Sequence, residues 1–228
     1  MPLPTHVEHQ LAVYSPPLNT GLDIVYLEDD FLVVNKPSGL LSVPGRGERM
    51  ADSMAARVQA EYPETLIVHR LDLPTSGLLM LARSPQMHRK LSDLFQRRQV
   101  HKRYTAVLAG LVAPDQGEVA LPLITDWPNR PRQKVDHVEG KPALTRWTVL
   151  DRDANTQTTR VELMPVTGRS HQLRVHMMSI GHPILGDPMY ASREQRDQAP
   201  RLLLHATELT LPHPNTGQPV RVISSAPF

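Results

Sequence analysis

The sequence predicts an α+β fold in which a large, mixed and mostly antiparallel sheet is flanked by helices and loops. Strand-like runs are joined mostly by short connections rather than alternating regularly with helices, which favours such a sheet over a doubly wound one. The sequence contains no internal repeat or low-complexity segment. We expect a polar, proline-containing tail over residues 1–20 and a single domain over residues 21–228.

The predicted strands are short apolar runs bounded by turn residues. They lie at 23–27, 31–35, 66–71, 78–82, 104–108, 144–150, 159–163 and 202–211, and a proline-rich exit follows the last one. The first two are separated by Glu28-Asp29-Asp30, which is typical of a hairpin turn. A proline-rich loop at 126–134 carries Trp127 and three basic residues.

Three helices are predicted from apolar residues that recur with a helical period. The first covers 50–62 and ends before Pro63. The second starts with Ser84 as its N-cap, and Pro85 follows in the first turn. The third starts with Ser170 as its N-cap and ends near Gly181.

Composition excludes several classes of protein. The chain has no cysteine, so disulfides, thiolate nucleophiles, Fe–S clusters and cysteine-type zinc sites are excluded. No run approaches the ~18 apolar residues of a membrane span, and the polar first stretch lacks the apolar core of a secretory signal. We therefore expect a cytoplasmic protein without a membrane partner, and nothing in the sequence demands more than a monomer.

Basic residues are concentrated in one stretch, although the net charge is only +2. Residues 83–103 contain seven Lys or Arg residues and one acid, Asp93. Such an excess suits contacts with nucleic-acid phosphates. A solvated helix face with a basic C-terminal turn explains the charges equally well, because cations are favoured there in any helix.

The segment 69–77, His-Arg-Leu-Asp-Leu-Pro-Thr-Ser-Gly, places an imidazole, a cation and a carboxylate within four positions. Its proline and glycine predict a tight loop after a buried strand, so Asp72 is expected at the exit of that strand. Loop residues on a rigid sheet are well placed for chemistry. Asp72 could instead cap the turn through its own backbone.

Four motifs resemble those of the RluA-type pseudouridine synthases, in the family's order. The segment 69–77 is similar to the family signature H-R-L-D-x-x-T-S-G, and Lys102-Arg103-Tyr104 is similar to the second motif. The stretch 168–176, Gly-Arg-Ser-His-Gln-Leu-Arg-Val-His, resembles the third, and 202–206, Leu-Leu-Leu-His-Ala, resembles the fourth. The similarity runs from about residue 24 to the end. It implies a pseudouridine synthase fold and a catalytic domain over 21–228.

The resemblance implies catalytic roles for three residues. Asp72 matches the family's catalytic aspartate, which attacks the target nucleotide at C1′ or C6 or assists glycal formation. Arg174 matches its salt-bridge partner, and it lies off the apolar face predicted for its helix. Tyr104 matches the tyrosine that stacks on the flipped base and takes the C5 proton. Its residue type alone also fits a packed sheet tyrosine. Neither a cofactor nor a metal is expected, since nothing is oxidised and no atom is added.

Four further residues are expected to bind the substrate. Arg70 matches the arginine that fills the gap left by the extruded base, and on a continuing strand it would share the face of Asp72. Leu204 matches an apolar residue that packs on the base, although a strand leucine is usually core. Arg169 lies in the third motif. His69 is included, although it also fits a structural role.

The expected partner is structured RNA, namely a 23S rRNA hairpin and the anticodon stem-loop of certain tRNAs. About 20 residues precede the first strand, so we expect no N-terminal S4-type domain, and contacts must come from the catalytic domain. Two other classes remain open on the residues: an RNA-binding or ribosome-assembly factor without activity, and a phosphotransferase that uses Asp72. The latter would lack the second acid of a D-x-D-x-T motif and a phosphate-binding glycine loop.

Overall fold

The computed structural model describes residues 14–228. Twelve strands and four α-helices follow one another along this part of the chain. The strands are β1 (Ile24–Leu27), β2 (Phe31–Lys36), β3 (Leu66–Ile67), β4 (Ser76–Ala82), β5 (His101–Ala109), β6 (Gln116–Val119), β7 (Leu123–Thr125), β8 (Gln133–Val135), β9 (Thr145–Asp153), β10 (Thr158–Pro165), β11 (Leu204–Pro212) and β12 (Pro219–Ile223). The helices are α1 (Met54–Glu61), α2 (Pro85–Gln96), α3 (Gln172–Ser179) and α4 (Arg193–Asp197), with 3₁₀ turns at Glu48–Met50 and Trp127–Asn129.

Ten strands form one sheet in the order β1-β2-β4-β11-β5-β10-β9-β6, with β3 paired to β4 and β12 paired to β11. Strands β7 and β8 form a separate hairpin. Within residues 14–228 the pairs of the large sheet are antiparallel except β4 with β11, where Ser76 and Gly77 lie opposite His205 and Ala206. The predicted α+β class with a mixed, mostly antiparallel sheet is confirmed. The described residues contain no separate S4-type unit.

Helices cover both faces of the sheet around β4, and every residue of β4 is buried. Because neighbouring strand residues point to opposite faces, Leu78 and Met80 pack with α2, while Leu79 and Leu81 pack with α1. The stripe predicted for α2 supplies Met87 and Leu91 to this core. Helix α3 packs on β5 and β10 through Leu173 and Met177.

Several predicted boundaries were wrong. The first helix begins at Met54, because the Ser53 side chain caps it by accepting the amide of Ala56. The predicted strand 66–71 ends at Ile67. Residues 68–75, which include Asp72, therefore have irregular backbone. Strand β12 was not predicted and replaces the expected proline-rich exit.

The third helix begins at Gln172, not directly after Ser170. Its N-cap position is His171, which adopts a left-handed conformation (φ 53°) without a side-chain capping bond. Gly181 follows the helix at φ 86°, as expected for a residue that ends one. Helix α2 starts as predicted, with Ser84 accepting the amide of Met87.

The first 13 residues of the expected tail lie outside the described part of the chain. Residues 14–20 contact the domain: the Tyr14 hydroxyl donates to the Asp52 carbonyl at 2.9 Å, and Arg57 donates to the Pro17 carbonyl at 2.6 Å. The domain boundary at residue 21 stays a prediction. Among residues 14–228, the helices are all too short or too polar to cross a membrane.

Gly77 allows the close parallel approach of β4 to β11. Its φ is +111°, and a Cβ atom there would collide with the backbone oxygen and nitrogen of Ala206. We predict that Gly77→Ala lowers the free energy of unfolding by at least about 3 kcal/mol. The new methyl group would force the β11 backbone at Ala206 to move within a buried sheet, and alanine at this φ would be strained. Urea denaturation would measure it.

Gly217→Ala is the matched control. Gly217 also has a positive φ, +72°, but a Cβ there meets nothing within 4 Å. We expect a loss of about 1–2 kcal/mol from backbone strain alone. Equal losses for the two variants would contradict the proposed role of the β4–β11 contact.

Candidate active site

A cavity of about 850 Å³ opens beside the irregular segment that carries Asp72. All seven residues that the sequence singled out line it: Asp72, Tyr104, Arg174, Arg70, Leu204, Arg169 and His69. They come from the 68–75 segment, from β5 and β11, and from α3 with the residues just before it. The fold therefore brings together side chains that are far apart along the chain.

Arg174 is a buried arginine shared by two carboxylates. Its side chain is 1% exposed. Its Nε and Nη2 each donate to the fully buried Asp187 at 2.7 Å, and its Nη1 donates to Asp72 at 3.2 Å. Burial is the largest single influence and lowers the pKa of Arg174, but the hydrogen bonds and charges of Asp187 and Asp72 together outweigh it, so the pKa is raised. Asp72 itself is 26% exposed and faces the cavity.

The segment of Asp72 is held by backbone and side chains of residues 36–42. The Lys36 ammonium, buried beneath it, donates to three backbone carbonyls, of which Leu73 is 3.2 Å away. The Ser42 hydroxyl donates to the Leu71 carbonyl at 2.8 Å and accepts the Leu71 amide at 3.0 Å. Burial lowers the pKa of Lys36 to about 7 against the opposing charge of Asp72. These bonds fix the backbone on both sides of Asp72.

Tyr104 and Leu204 form an apolar wall of the cavity. Leu204 is 3% exposed on β11. Tyr104 on β5 packs against two hydrophobic core clusters, one that contains Leu204 and one that contains Leu71. Burial and the charge of Asp72 raise the pKa of Tyr104, so its phenol is neutral. Among residues 14–228 the Tyr104 hydroxyl has no hydrogen-bond partner. It is free to meet a ligand.

The remaining three residues have different settings. Arg70 is exposed at the cavity, although the strand predicted to align it with Asp72 ends before it. Arg169 is exposed and donates to the Pro142 carbonyl at 3.2 Å. His69 stacks on Phe95 with ring centroids 4.8 Å apart and accepts the Met80 amide at 3.0 Å. Burial and then the charge of Lys102 lower the pKa of His69 to about 3.

A family model described as RNA pseudouridylate synthase matches residues 30–179, more than half of the chain and most of this site. The chain belongs to the RNA pseudouridylate synthase family. Within the family it is of the RluA type, as the relatives below show. It is an isomerase that converts uridine to pseudouridine in RNA, so the binding-factor and phosphotransferase alternatives are no longer needed.

Curated relatives cover nearly the whole chain. The dual-specificity RNA pseudouridine synthase RluA of Escherichia coli (strain K12) is 52% identical over 215 residues, 94% of this chain and 98% of that one. The protein of the same name from Pasteurella multocida is 52% identical over 91% of this chain and 94% of its own length. Among solved structures, human RNA Pseudouridylate Synthase Domain Containing 1 superposes with a TM-score of 0.78 at 31% identity, covering 94% of this chain and 87% of that one.

Asp187 of this pseudouridine synthase was missed by the sequence reasoning. Its Oδ1 also accepts the amides of Met189 and Tyr190, at 2.8 and 3.1 Å. The available signal was an acid directly after the apolar run 183–186, a setting like that of Asp72 after 66–71. Nothing in that signal names Arg174 as its partner.

His171 lies beside Asp72, in keeping with its place in the third motif. Its Nε2 is 4.0 Å from Asp72, and its Nδ1 is 2.7 Å from the Tyr190 hydroxyl. Burial lowers the pKa of His171, against the opposing charge of Asp72. A non-glycine residue in the left-handed region is strained, and such strain is concentrated at functional sites.

The basic stretch 83–103 reaches the cavity only in part. Arg98 and Lys102 line the cavity, whereas Arg83 pairs with Glu64 at 2.8 Å. In the 126–134 loop, Trp127 is 64% exposed with the Arg130 guanidinium 4.5 Å from its ring centroid.

One group of metal-ligand side chains occurs in the described residues, away from the cavity. Glu28, Asp30 and His213 meet near the β1–β2 turn. His213 Nδ1 accepts the amides of Asn215 and Thr216, so the proton of the neutral ring is on Nε2, which lies 3.0 Å from Glu28. This geometry suits a hydrogen bond between the β1–β2 and β11–β12 turns and leaves no imidazole lone pair for a metal.

Asp187 is predicted to maintain the charge balance of the site. We expect Asp187→Asn to lower the free energy of unfolding by about 3–5 kcal/mol, since the buried Arg174 would lose its chelating carboxylate. Urea denaturation at pH 7 would measure the change.

The control is Asp197→Asn, which removes an exposed carboxylate 2.9 Å from Arg196. Exposed ion pairs contribute at most about 1 kcal/mol. A loss at Asp187 no larger than that at Asp197 would show that the buried pair does not stabilise the fold.

Proposed function

We propose that Asp72 is the catalytic carboxylate of this pseudouridine synthase and that Arg174 and Tyr104 act with it. The observation that carries the proposal is the ion pair of Asp72 with a buried arginine at the wall of a cavity large enough for a nucleotide. The pair places a fixed positive charge beside the Asp72 carboxylate at the cavity wall. It also holds Asp72 at the wall of the cavity.

The reaction needs an ionised acid and no cofactor. The Asp72 carboxylate attacks the target nucleotide, at C1′ or C6, or assists the loss of the 2′ proton in glycal formation. The N1–C1′ bond breaks, the uracil turns, and a C5–C1′ bond forms. Any bond to Asp72 breaks again, or in the glycal route the 2′ proton returns, and the C5 proton leaves as N1 gains one. The fixed Arg174 charge accompanies Asp72 throughout, so little reorganisation is needed as charge moves.

Tyr104 stacks on the uracil and accepts the C5 proton. Because its pKa is raised, its hydroxyl is protonated at rest. As it accepts the C5 proton it therefore passes its own proton to the uracil N1, directly or through water in the cavity. Leu204 holds the other side of the base. Arg70, exposed at the cavity, inserts into the RNA where the uridine has left the stack, which offsets part of the cost of extrusion.

The proposed substrates are hairpin loops of 23S rRNA and of the tRNA anticodon arm. The support is the similarity to relatives named dual-specificity RNA pseudouridine synthases and the charge around the cavity. Arg98, Arg169 and the 126–134 loop offer cations and an exposed indole, and RNA loops present splayed bases that stack on such rings. We further propose a cytoplasmic monomer with its catalytic domain at 21–228, with Arg169 and His69 in the substrate-binding set.

Asp72→Asn is predicted to abolish tritium release from 5-tritiated uridine in two transcripts, a 23S rRNA hairpin and an anticodon stem-loop. The neutral amide has the size of the carboxylate but cannot act as a nucleophile or base. We expect at least about a 10⁴-fold loss of rate. Asp197→Asn, remote from the cavity, should keep the wild-type rate.

Residual turnover near the wild-type rate in Asp72→Asn would remove the carboxylate from the mechanism. Release from one transcript and not the other in the wild type would contradict dual specificity. Sequencing the product for pseudouridine then identifies the uridine that reacts.

Tyr104→Phe is predicted to separate binding from proton transfer. The phenyl ring can still stack on uracil, so KM should stay within about threefold, while loss of the hydroxyl slows release of the C5 proton by about 10²–10⁴-fold. Steady-state tritium release measured at several transcript concentrations gives both KM and kcat. A full rate in Tyr104→Phe would leave packing as the role of this residue.

A further inference from the structure

Lys102 places an ammonium group inside the cavity without a partner for it. It lies on β5 two residues before Tyr104, so both side chains leave the same face of the strand, and both line the cavity. Among residues 14–228 its Nζ has no hydrogen-bond or ion-pair partner. The resemblance drew attention to the tyrosine of this motif and left the lysine unassigned.

Comparison with Lys36, a buried lysine, shows that Lys102 lacks hydrogen-bond acceptors. Lys36 donates to three carbonyls at 2.7–3.2 Å, whereas the Lys102 ammonium faces the stacked imidazole of His69 and the backbone at Gly168. An atom at the Cβ position of Gly168 would lie 3.5 Å from this Nζ, so the absent side chain leaves the ammonium open to the cavity. Burial lowers the pKa of Lys102, and no carboxylate offsets the effect.

The Lys102 ammonium has no partner among the described residues and reaches the open cavity, so an anionic group that enters with the substrate can pair with it. A charge pair in a partly enclosed site is stronger than one at the open surface. The substrate class has one anionic group, the phosphodiester, and an extruded nucleotide carries its flanking phosphates with it. The exposed cations Arg70, Arg98 and Arg169 line the same cavity and favour the same charge.

We propose that the Lys102 ammonium binds a backbone phosphate of the RNA beside the extruded uridine, an inference that rests on the function proposed above. The contact holds the nucleotide by its backbone phosphate, which takes no part in the bonds that break and form. Lys102 is thus a positioning residue for substrate binding, and its effect falls equally on the bound substrate and the transition state.

The test is Lys102→Met, which keeps an apolar stem of similar length and removes the charge. We expect KM for the 5-tritiated anticodon stem-loop to rise about tenfold to a hundredfold, as for the loss of a charged hydrogen bond, with kcat within about twofold. The slope of log KM against log salt concentration should fall by about 0.7, the value for one lost phosphate contact on a single strand. The unfolding temperature should not fall, because the ammonium that is removed makes no hydrogen bond or ion pair within the described part of the chain.

Two further variants complete the design. Lys102→Arg keeps a cation, so its KM should lie close to the wild-type value and its salt slope should equal that of the wild type. Lys141→Met removes an exposed lysine that does not line the cavity, and it should change neither.

Two outcomes would overturn the inference. Unchanged KM and salt slope in Lys102→Met would show that no phosphate binds there. A collapse of kcat at unchanged KM would instead assign Lys102 to proton transfer. Both results are judged relative to the turnover of the wild-type enzyme. If the wild type itself releases no tritium, the proposed function is refuted, and this outcome is distinct from a failure of the Lys102 inference.

Discussion

The site depends on how one guanidinium is divided between two acids. Asp187 takes Nε and Nη2 of Arg174 and leaves Nη1 for Asp72. Because Asp187 is fully buried and also accepts two backbone amides, it cannot follow a moving arginine. The arginine is therefore fixed before any substrate arrives. This arrangement is the form of preorganisation that makes a charged site effective, since its dipoles need not turn during the reaction.

The second constraint acts on the backbone around Asp72. Residues 68–75 belong to no strand or helix, yet the Lys36 ammonium and the Ser42 hydroxyl hold them at Leu73 and Leu71. A loop fixed in this way combines the reach of irregular backbone with the precision of the sheet. Together with the arginine, it determines where both oxygens of Asp72 point.

The sequence predicted the elements whose signals are local. Helix α2 has an N-cap serine, a proline in its first turn and one apolar stripe, and it starts where predicted. Helix α3 is buried on nearly all sides, so its periodicity is weak, and its start at His171 uses a conformation that no propensity predicts. The seven site residues came from motif resemblance, since spacing alone left Asp72 and Arg174 with ordinary structural readings. Asp187 and Lys102 were not predicted as site residues, because their roles depend on which groups surround them in the fold.

The parallel contact between β4 and β11 has a consequence for biosynthesis. Ser76 and His205 are hydrogen-bonded across 129 positions, and this contact adjoins the segment of Asp72. A ribosome adds roughly 5–20 residues per second, so a nascent chain waits on the order of ten seconds between emergence of the first partner and the second. During that interval β4 already has β2 beside it, but the part of its other edge that pairs with β11 is open and can be bound by chaperones. The isomerase can act on RNA only once its chain has been translated past β11.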